Sequence, residues 1–299
     1  MYEPRHRPRT ESIVLRGLRH HVTRWGPADV QPILLLHGWM DTGATFQFLV
    51  DAFEGRCAFV APDFRGFGQS EWEPHGYWFP NYLADLDALL DLVCPREPAI
   101  VIGHSMGGNV ASLYAGVKPE RVKKLVNIEG LGLPRTTPDQ APARYREWLD
   151  QLHGAPSFAS YTSFEQLAGF LAGRNPRLPP EHAQFIARAW GREMAPGRVE
   201  IRADPRHKVI NAVLYRREEV EACWRRIRAP VLLLVGEHSE FRPRLGTDAS
   251  DEKLHALLAN LSLVTIAGAG HMMHHEKPAE VARAILDFLA DFLTNLPDR

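Results

Sequence analysis

Ile100-Val101-Ile102-Gly103-His104-Ser105-Met106-Gly107-Gly108 is the stretch from which the rest of the chain can be read. An apolar run ends in glycine, a serine follows two positions on, and glycines return at 107 and 108. This is the G-x-S-x-G pattern, in which a strand turns sharply into a helix and the serine takes a strained backbone conformation. Gly103 and Gly107 lack a Cβ, so the flanking chain can pass close. The small-residue pattern from Asn109 to Val117 reads as the helix. The Ser105 hydroxyl then stands at a helix start, where free N–H groups and the helix dipole favour negative charge. The plain alternative is a tight strand–helix turn with no chemistry, so the remaining motifs must decide.

Composition narrows the field. The 299 residues are 45% hydrophobic, enough for a large core in one big domain or two. A net charge of −1 gives no electrostatic footprint for nucleic acid. Cys57, Cys94 and Cys223 are too widely spaced for a disulfide framework or a metal motif, and read as small buried apolar residues in a reducing compartment. The basic, proline-rich opening has no apolar stretch behind it, unlike a signal peptide. No apolar run approaches the ~18 residues needed to span a bilayer. These features predict a soluble, cytoplasmic protein with no nucleic-acid or membrane partner; they do not specify its oligomeric state.

In order, Ser12–Leu15 and His20–Trp25 read as strands around a turn. Ile33–Leu36 reads as a fully apolar strand ending in His37-Gly38-Trp39. Thr45–Phe53 has a helical stripe of Phe46, Leu49, Val50 and Phe53, and Ala58–Ala61 is the next strand. The glycine-punctuated loop Phe64–Ser70 leads to a helix over Tyr82–Val93. A strand at Leu125–Ile128 ends in Glu129-Gly130. From 131 to 217 the alternation breaks into amphipathic segments around Trp148, Phe170 and Trp190, with few strand signals, which predicts an inserted helical lid. The rhythm returns with strands at Val231–Val235 and Leu261–Ile266, the turn Gly268-Ala269-Gly270-His271, and a closing helix over Pro278–Leu293. Residues 1–130 and 218–299 therefore form one α/β core, with a mostly parallel sheet covered on both faces. In such sheets sites gather at the carboxyl ends of strands. His37, Ser105, Glu129, Glu240 and His271 all fall just after strands.

A serine hydroxyl needs a base to take its proton. His271, on a glycine-rich loop, is the candidate. His274 and His275 are rivals, but they lie toward the final helix and read as solvated or structural. No carboxylate or cysteine shares a ligand spacing with the three histidines, so no metal or other cofactor is implied. The base needs a carboxylate on its other nitrogen, and both Glu129 and Glu240 qualify. An oxyanion needs donors set in advance: the N–H of Met106 in the elbow, and that of Trp39, in a loop that Gly38 lets approach closely. His37 reads as a support that holds this loop, and Asp63 and Arg65 as loop-fixing residues.

The chain resembles the α/β-hydrolase superfamily. The resemblance rests on His37-Gly38-Trp39, P-D-F-R-G-F-G-Q-S over Pro62–Ser70, G-H-S-M-G over Gly103–Gly107, and Gly268–His271 followed by Glu276-Lys277-Pro278, in family order over nearly the whole chain. H-G-W-M-D at His37–Asp41 looks most like the serine hydrolase-like branch. The resemblance implies the α/β-hydrolase fold and an acyl-enzyme mechanism with nucleophile Ser105 and base His271. One departure matters. The commonest family pattern after the Val231–Val235 strand is G-x-x-D, and here Ser239 replaces the aspartate. In some branches the acid follows the preceding core strand instead, where Glu129 stands, so Glu129 is the expected acid and Glu240 the reserve. Dehalogenase and epoxide hydrolase branches carry an aspartate nucleophile, and position 105 is serine. The expected function is hydrolysis of carboxylic esters, with an apolar or aromatic substrate of small to moderate size. Carbon–carbon, thioester or lactone cleavage on the same residues is the alternative, and a ligand-binding protein without turnover is the alternative of another class.

Overall fold

The computed structural model describes residues 2–154 and 156–294. Its strands, in chain order, are β1 (Arg9–Leu15), β2 (Leu18–Trp25), β3 (Ile33–Leu36), β4 (Phe59–Pro62), β5 (Ala99–His104), β6 (Val122–Ile128), β7 (Gly191–Ala195), β8 (Arg198–Ile201), β9 (Val231–Gly236) and β10 (Leu261–Ile266). Eight of them form one sheet in the order β1-β2-β4-β3-β5-β6-β9-β10. β1/β2 and β2/β4 pair antiparallel, and every other neighbour pairs parallel. The order reverses beside β3: the chain steps outward to β4, then returns to β5 on the other side. Such a switch opens a crevice at the carboxyl ends of the two inner strands. The loops carrying Gly38 and Ser105 begin there.

The helices are α1 (Gln47–Ala52), α2 (Pro80–Val93), α3 (Met106–Val117), α4 (Ala141–His153), α5 (Phe164–Arg174), α6 (Pro180–Trp190), α7 (Arg217–Trp224), α8 (Phe241–Leu245), α9 (Asp251–Leu257), α10 (Met273–Glu276), α11 (Pro278–Phe288) and α12 (Ala290–Leu293). The central strands are apolar throughout because both faces are covered. Successive side chains alternate faces. Leu34, Leu36 and Val101 pack with Leu86, Leu90 and Val110 on one side. Ile33, Leu35, Ile100 and Ile102 pack with Leu49, Val281 and Ile285 on the other. No helix among the described residues is long and apolar enough to cross a membrane.

The structure departs from the expected layout in four places. The helix expected at 45–53 divides into a 3₁₀ turn over Gly43–Phe46 and α1. The closing helix breaks at Leu289 into α11 and α12. The segment between β6 and α7 is not wholly helical, because β7 and β8 pair as an antiparallel hairpin. Finally, α4 buries none of its residues, and its Tyr145, Leu149 and Leu152 are about half exposed. Apolar packing in the segment between β6 and α7 comes instead from α5, α6 and β8, whose Leu167, Leu171, Ile186 and Val199 cluster with Phe48 of α1.

Candidate active site

The turn after β5 is as tight as its glycines require. A Cβ on Gly107 would lie 2.1 Å from the Leu36 carbonyl oxygen, and one on Gly103 would lie 2.4 Å from that of Gly107. Ser105 sits between them at φ +51°, a left-handed conformation that costs a non-glycine residue of order 1–3 kcal/mol. Packing of β5 and α3 holds it there. The Ser105 hydroxyl stands 3.0 Å from His271 Nε2. His271 Nδ1 lies 2.8 Å from Glu129 Oε2. Serine, imidazole and carboxylate therefore form one hydrogen-bonded chain, from residues 166 and 142 positions apart in the sequence.

Glu129 has its own left-handed backbone, at φ +54°, where β6 ends. Its side chain is wholly buried. Burying a carboxylate is costly unless its oxygens find donors. Here Oε1 accepts from the Gly236 N–H at 2.7 Å, and Oε2 accepts from the Ser239 hydroxyl at 2.6 Å as well as from His271. Glu240 is elsewhere: its carboxylate is exposed and pairs with Arg244 at 3.0 Å. Ser239, read from sequence only as a missing aspartate, thus becomes a donor to the acid. Ser239, just after β9, and Glu129, just after β6, thus meet at the oxygen that His271 also uses.

Two further contacts orient His271. The Phe241 ring lies on its imidazole, centroids 4.0 Å apart. His104 Nε2 lies 3.0 Å from the His271 carbonyl oxygen, so the residue before the serine also holds the loop of the base. His104 is buried, and burial pushes its imidazole well below its usual pKa, with His274 and His271 acting in the same direction. Its ring is a neutral donor.

The loop after β3 approaches as Gly38 permits. A Cβ there would lie 2.7 Å from His104 Nδ1 and 3.3 Å from Ser105 Cβ. His37 is buried and structural. Its Nε2 accepts from the Phe64 N–H at 2.8 Å, leaving Nδ1–H to donate to the Gly38 carbonyl at 2.7 Å. Asp63 accepts from the N–H of Gly43 and of Gln69, and Arg65 grips Asp85 through two 2.6 Å bonds, so both fix loops as expected. Among the described residues, the N–H groups of Trp39 and Met106 donate to no protein acceptor. A cavity of about 1630 Å³ opens over Ser105 and His271, with Trp39, Trp78, Phe170 and Trp190 in its wall.

The solvated half of the reading of His274 and His275 needs correction. Neither is solvated: both are buried, and Asp41 lies against them. Sequence spacing could not show this, because the carboxylate comes from the loop after β3, more than 200 residues away in the chain.

A scan against protein-family models matches residues 31–278 to the alpha/beta hydrolase fold, and the chain belongs to that family. A serine hydrolase-like protein of Danio rerio is 29% identical over 274 residues, covering 89% of this chain and 83% of that protein. A 2-(acetamidomethylene)succinate hydrolase of Mesorhizobium japonicum is 27% identical over 86% of this chain and 87% of its own length. Among solved structures, a thioesterase domain from the curacin biosynthetic pathway superposes with a TM-score of 0.83 at 23% identity, covering 94% of this chain and 99% of that domain. The fold and the serine hydrolase-like relatives together support hydrolase activity.

Proposed function

We propose that the chain is a serine hydrolase that cleaves carboxylic esters through an acyl-enzyme on Ser105. The observation that carries this reading is the hydrogen-bonded chain from Ser105 Oγ through His271 to Glu129. Ser105 Oγ attacks the ester carbonyl carbon as its proton passes to His271 Nε2. The carbonyl oxygen becomes an oxyanion that accepts from the N–H groups of Trp39 and Met106. His271 returns the proton to the departing alkoxide as the carbon–oxygen bond breaks. Water, deprotonated by the same nitrogen, then attacks the acyl carbon; the bond to Ser105 breaks, Ser105 recovers its proton from His271, and the carboxylic acid leaves and ionises in solvent. Glu129 steadies the imidazolium in both halves, and Ser239 holds the Oε2 that does so.

The inserted segment acts as a cap in this reading, since its Phe170 and Trp190 line the cavity over Ser105. Aromatic walls favour an apolar or aromatic acyl group. Treatment with a fluorophosphonate should leave one adduct on Ser105 by mass spectrometry, absent from Ser105→Ala. Nitrophenyl esters of graded chain length should then be turned over with a preference set by the apolar cavity. A protein that stays unmodified where a control esterase reacts would be a binding protein without turnover.

A further inference from the structure

Behind the cavity wall, three side chains converge that the reaction above does not use. Asp41, His274 and His275 are each about 99% buried or more. Asp41 Oδ2 lies 3.5 Å from His275 Nε2 and 3.7 Å from His274 Nε2, and one potential ligand atom from each of the three residues lies within 4.8 Å of the others. These separations are too long for hydrogen bonds. Among the described residues none of the three atoms has a hydrogen-bond partner. Each buried polar atom left so costs about 1–3 kcal/mol. The opposite oxygen of the same carboxylate is saturated: Asp41 Oδ1 accepts from the Thr42 N–H at 2.8 Å, the Thr45 hydroxyl at 2.6 Å and Trp190 Nε1 at 2.8 Å. Those bonds fix the carboxylate and aim Oδ2 at the two imidazoles.

We propose that Asp41, His274 and His275 form a binding site for a divalent transition metal of the zinc class. The donor set points to an ion. Zinc takes nitrogen and oxygen ligands at about 2.0–2.2 Å, so one ion can bridge Asp41 Oδ2 to either imidazole across 3.5 or 3.7 Å, and it takes all three once the two imidazoles turn toward each other. Two imidazoles with one carboxylate suit zinc, cobalt, nickel or copper and not magnesium or calcium, which take oxygen ligands. The carboxylate already has its supporting hydrogen bonds, as ligating carboxylates do. The cluster lies beside the large cavity, which His275 and Trp190 line. Asp41 follows Trp39 by two residues and His274 follows His271 by three. A bound ion would therefore pin the turn that carries Trp39 to the segment that carries His271.

The test needs no turnover. Protein stripped with a chelator and equilibrated with Zn²⁺ should hold one ion per chain at micromolar free metal, measured by equilibrium dialysis and elemental analysis. Co²⁺ in its place should give the visible d–d bands of a four- or five-coordinate ion, and the thermal midpoint should rise with zinc concentration. His275→Gln and, separately, His274→Gln should weaken zinc binding at least ~100-fold while keeping the far-UV circular dichroism of the parent. Removing the exposed His153 and His255 should leave binding unchanged. Wild-type protein that takes up less than one zinc per chain, or whose cobalt spectrum stays that of the hydrated ion, overturns the proposal. So does tight binding that survives both buried substitutions or disappears with the two exposed histidines. Each readout is independent of whether Ser105 turns over an ester.

Discussion

Ser239 shows how a single side chain changes the meaning of a motif. Where the family usually places an aspartate, a hydroxyl 2.6 Å from Glu129 Oε2 shares that oxygen with His271. The negative charge has moved to the neighbouring strand, and the hydroxyl stops it from drifting. Glu129→Gln is expected to lower kcat by ~10⁴-fold, because an amide cannot steady the imidazolium and can select the wrong tautomer. Ser239→Ala removes one hydrogen bond to a charged group, worth about 1.5–3 kcal/mol, so kcat should fall roughly 10- to 100-fold with KM little changed. Glu240→Gln should stay near wild type. Steady-state kinetics on a nitrophenyl ester decides: a crippled Glu240→Gln beside a healthy Glu129→Gln would reverse the assignment of the acid.

The turn between β5 and α3 and the start of α7 are the two elements on which the site's placement depends. Crowding around Gly103 and Gly107 forces the sharp strand–helix reversal and lifts Ser105 out of the sheet. Arg217, at the start of α7, is fully buried, an unusual position for a guanidinium. It donates to the carbonyls of Leu131 and Leu133 at 3.1 Å and of Asp248 at 2.8 Å, and to Glu221 at 3.1 Å. It therefore ties the point where the chain leaves β6 to the point where it re-enters the core. Arg217→Met should cost about 3–5 kcal/mol of unfolding free energy, because it leaves buried acceptors without a donor. Urea denaturation gives the value, and a loss below about 1 kcal/mol would show that the tie is dispensable. The β7–β8 hairpin was not legible beforehand. Its strands are four and five residues long, mix charged with apolar residues and contain one buried apolar side chain, Val199. They exist because β8 also bridges to Tyr161 and packs over α5 and α6.

The chain between β6 and α7 meets the loop after β4 across His207, whose ring is stacked between Phe67 at 3.8 Å and Tyr77 at 3.5 Å. Burial lowers its pKa from the usual 6.5 to about 3, against the opposing pull of Asp204. The sign follows directly. Below pH 6.5 the unfolded chain protonates this histidine while the folded protein does not, so the unfolded state binds more protons and stability falls with falling pH. The loss should accumulate from about pH 6.5 down to about pH 3. Urea midpoints should therefore drop between pH 7 and pH 4, and the drop should shrink in His207→Gln, whose midpoint at pH 7 is also lower for want of the stacking. An identical pH slope in both proteins would remove His207 from the account.

Local pattern alone was enough for the parallel sheet, the strained serine turn and the list of polar residues at strand ends. Each depends on residues a few positions apart: apolar runs that suit strands buried on both faces, glycines that permit one tight crossing, and loops that must follow strands. Pairing across the chain was not contained in that pattern. Position after a strand admitted both Glu129 and Glu240, and the family layout made Glu129 the expected acid with Glu240 in reserve. Only the adjacency of β6 and β9 in the sheet directs one carboxylate inward to His271 and leaves the other in solvent. The same holds for Ser239 and for Asp41, whose partners come from strands and loops that become neighbours after folding. Hydrogen bonds act over about 3 Å whatever the separation in sequence, so the residues able to do the chemistry could be named in advance, while their partnerships had to wait for the fold.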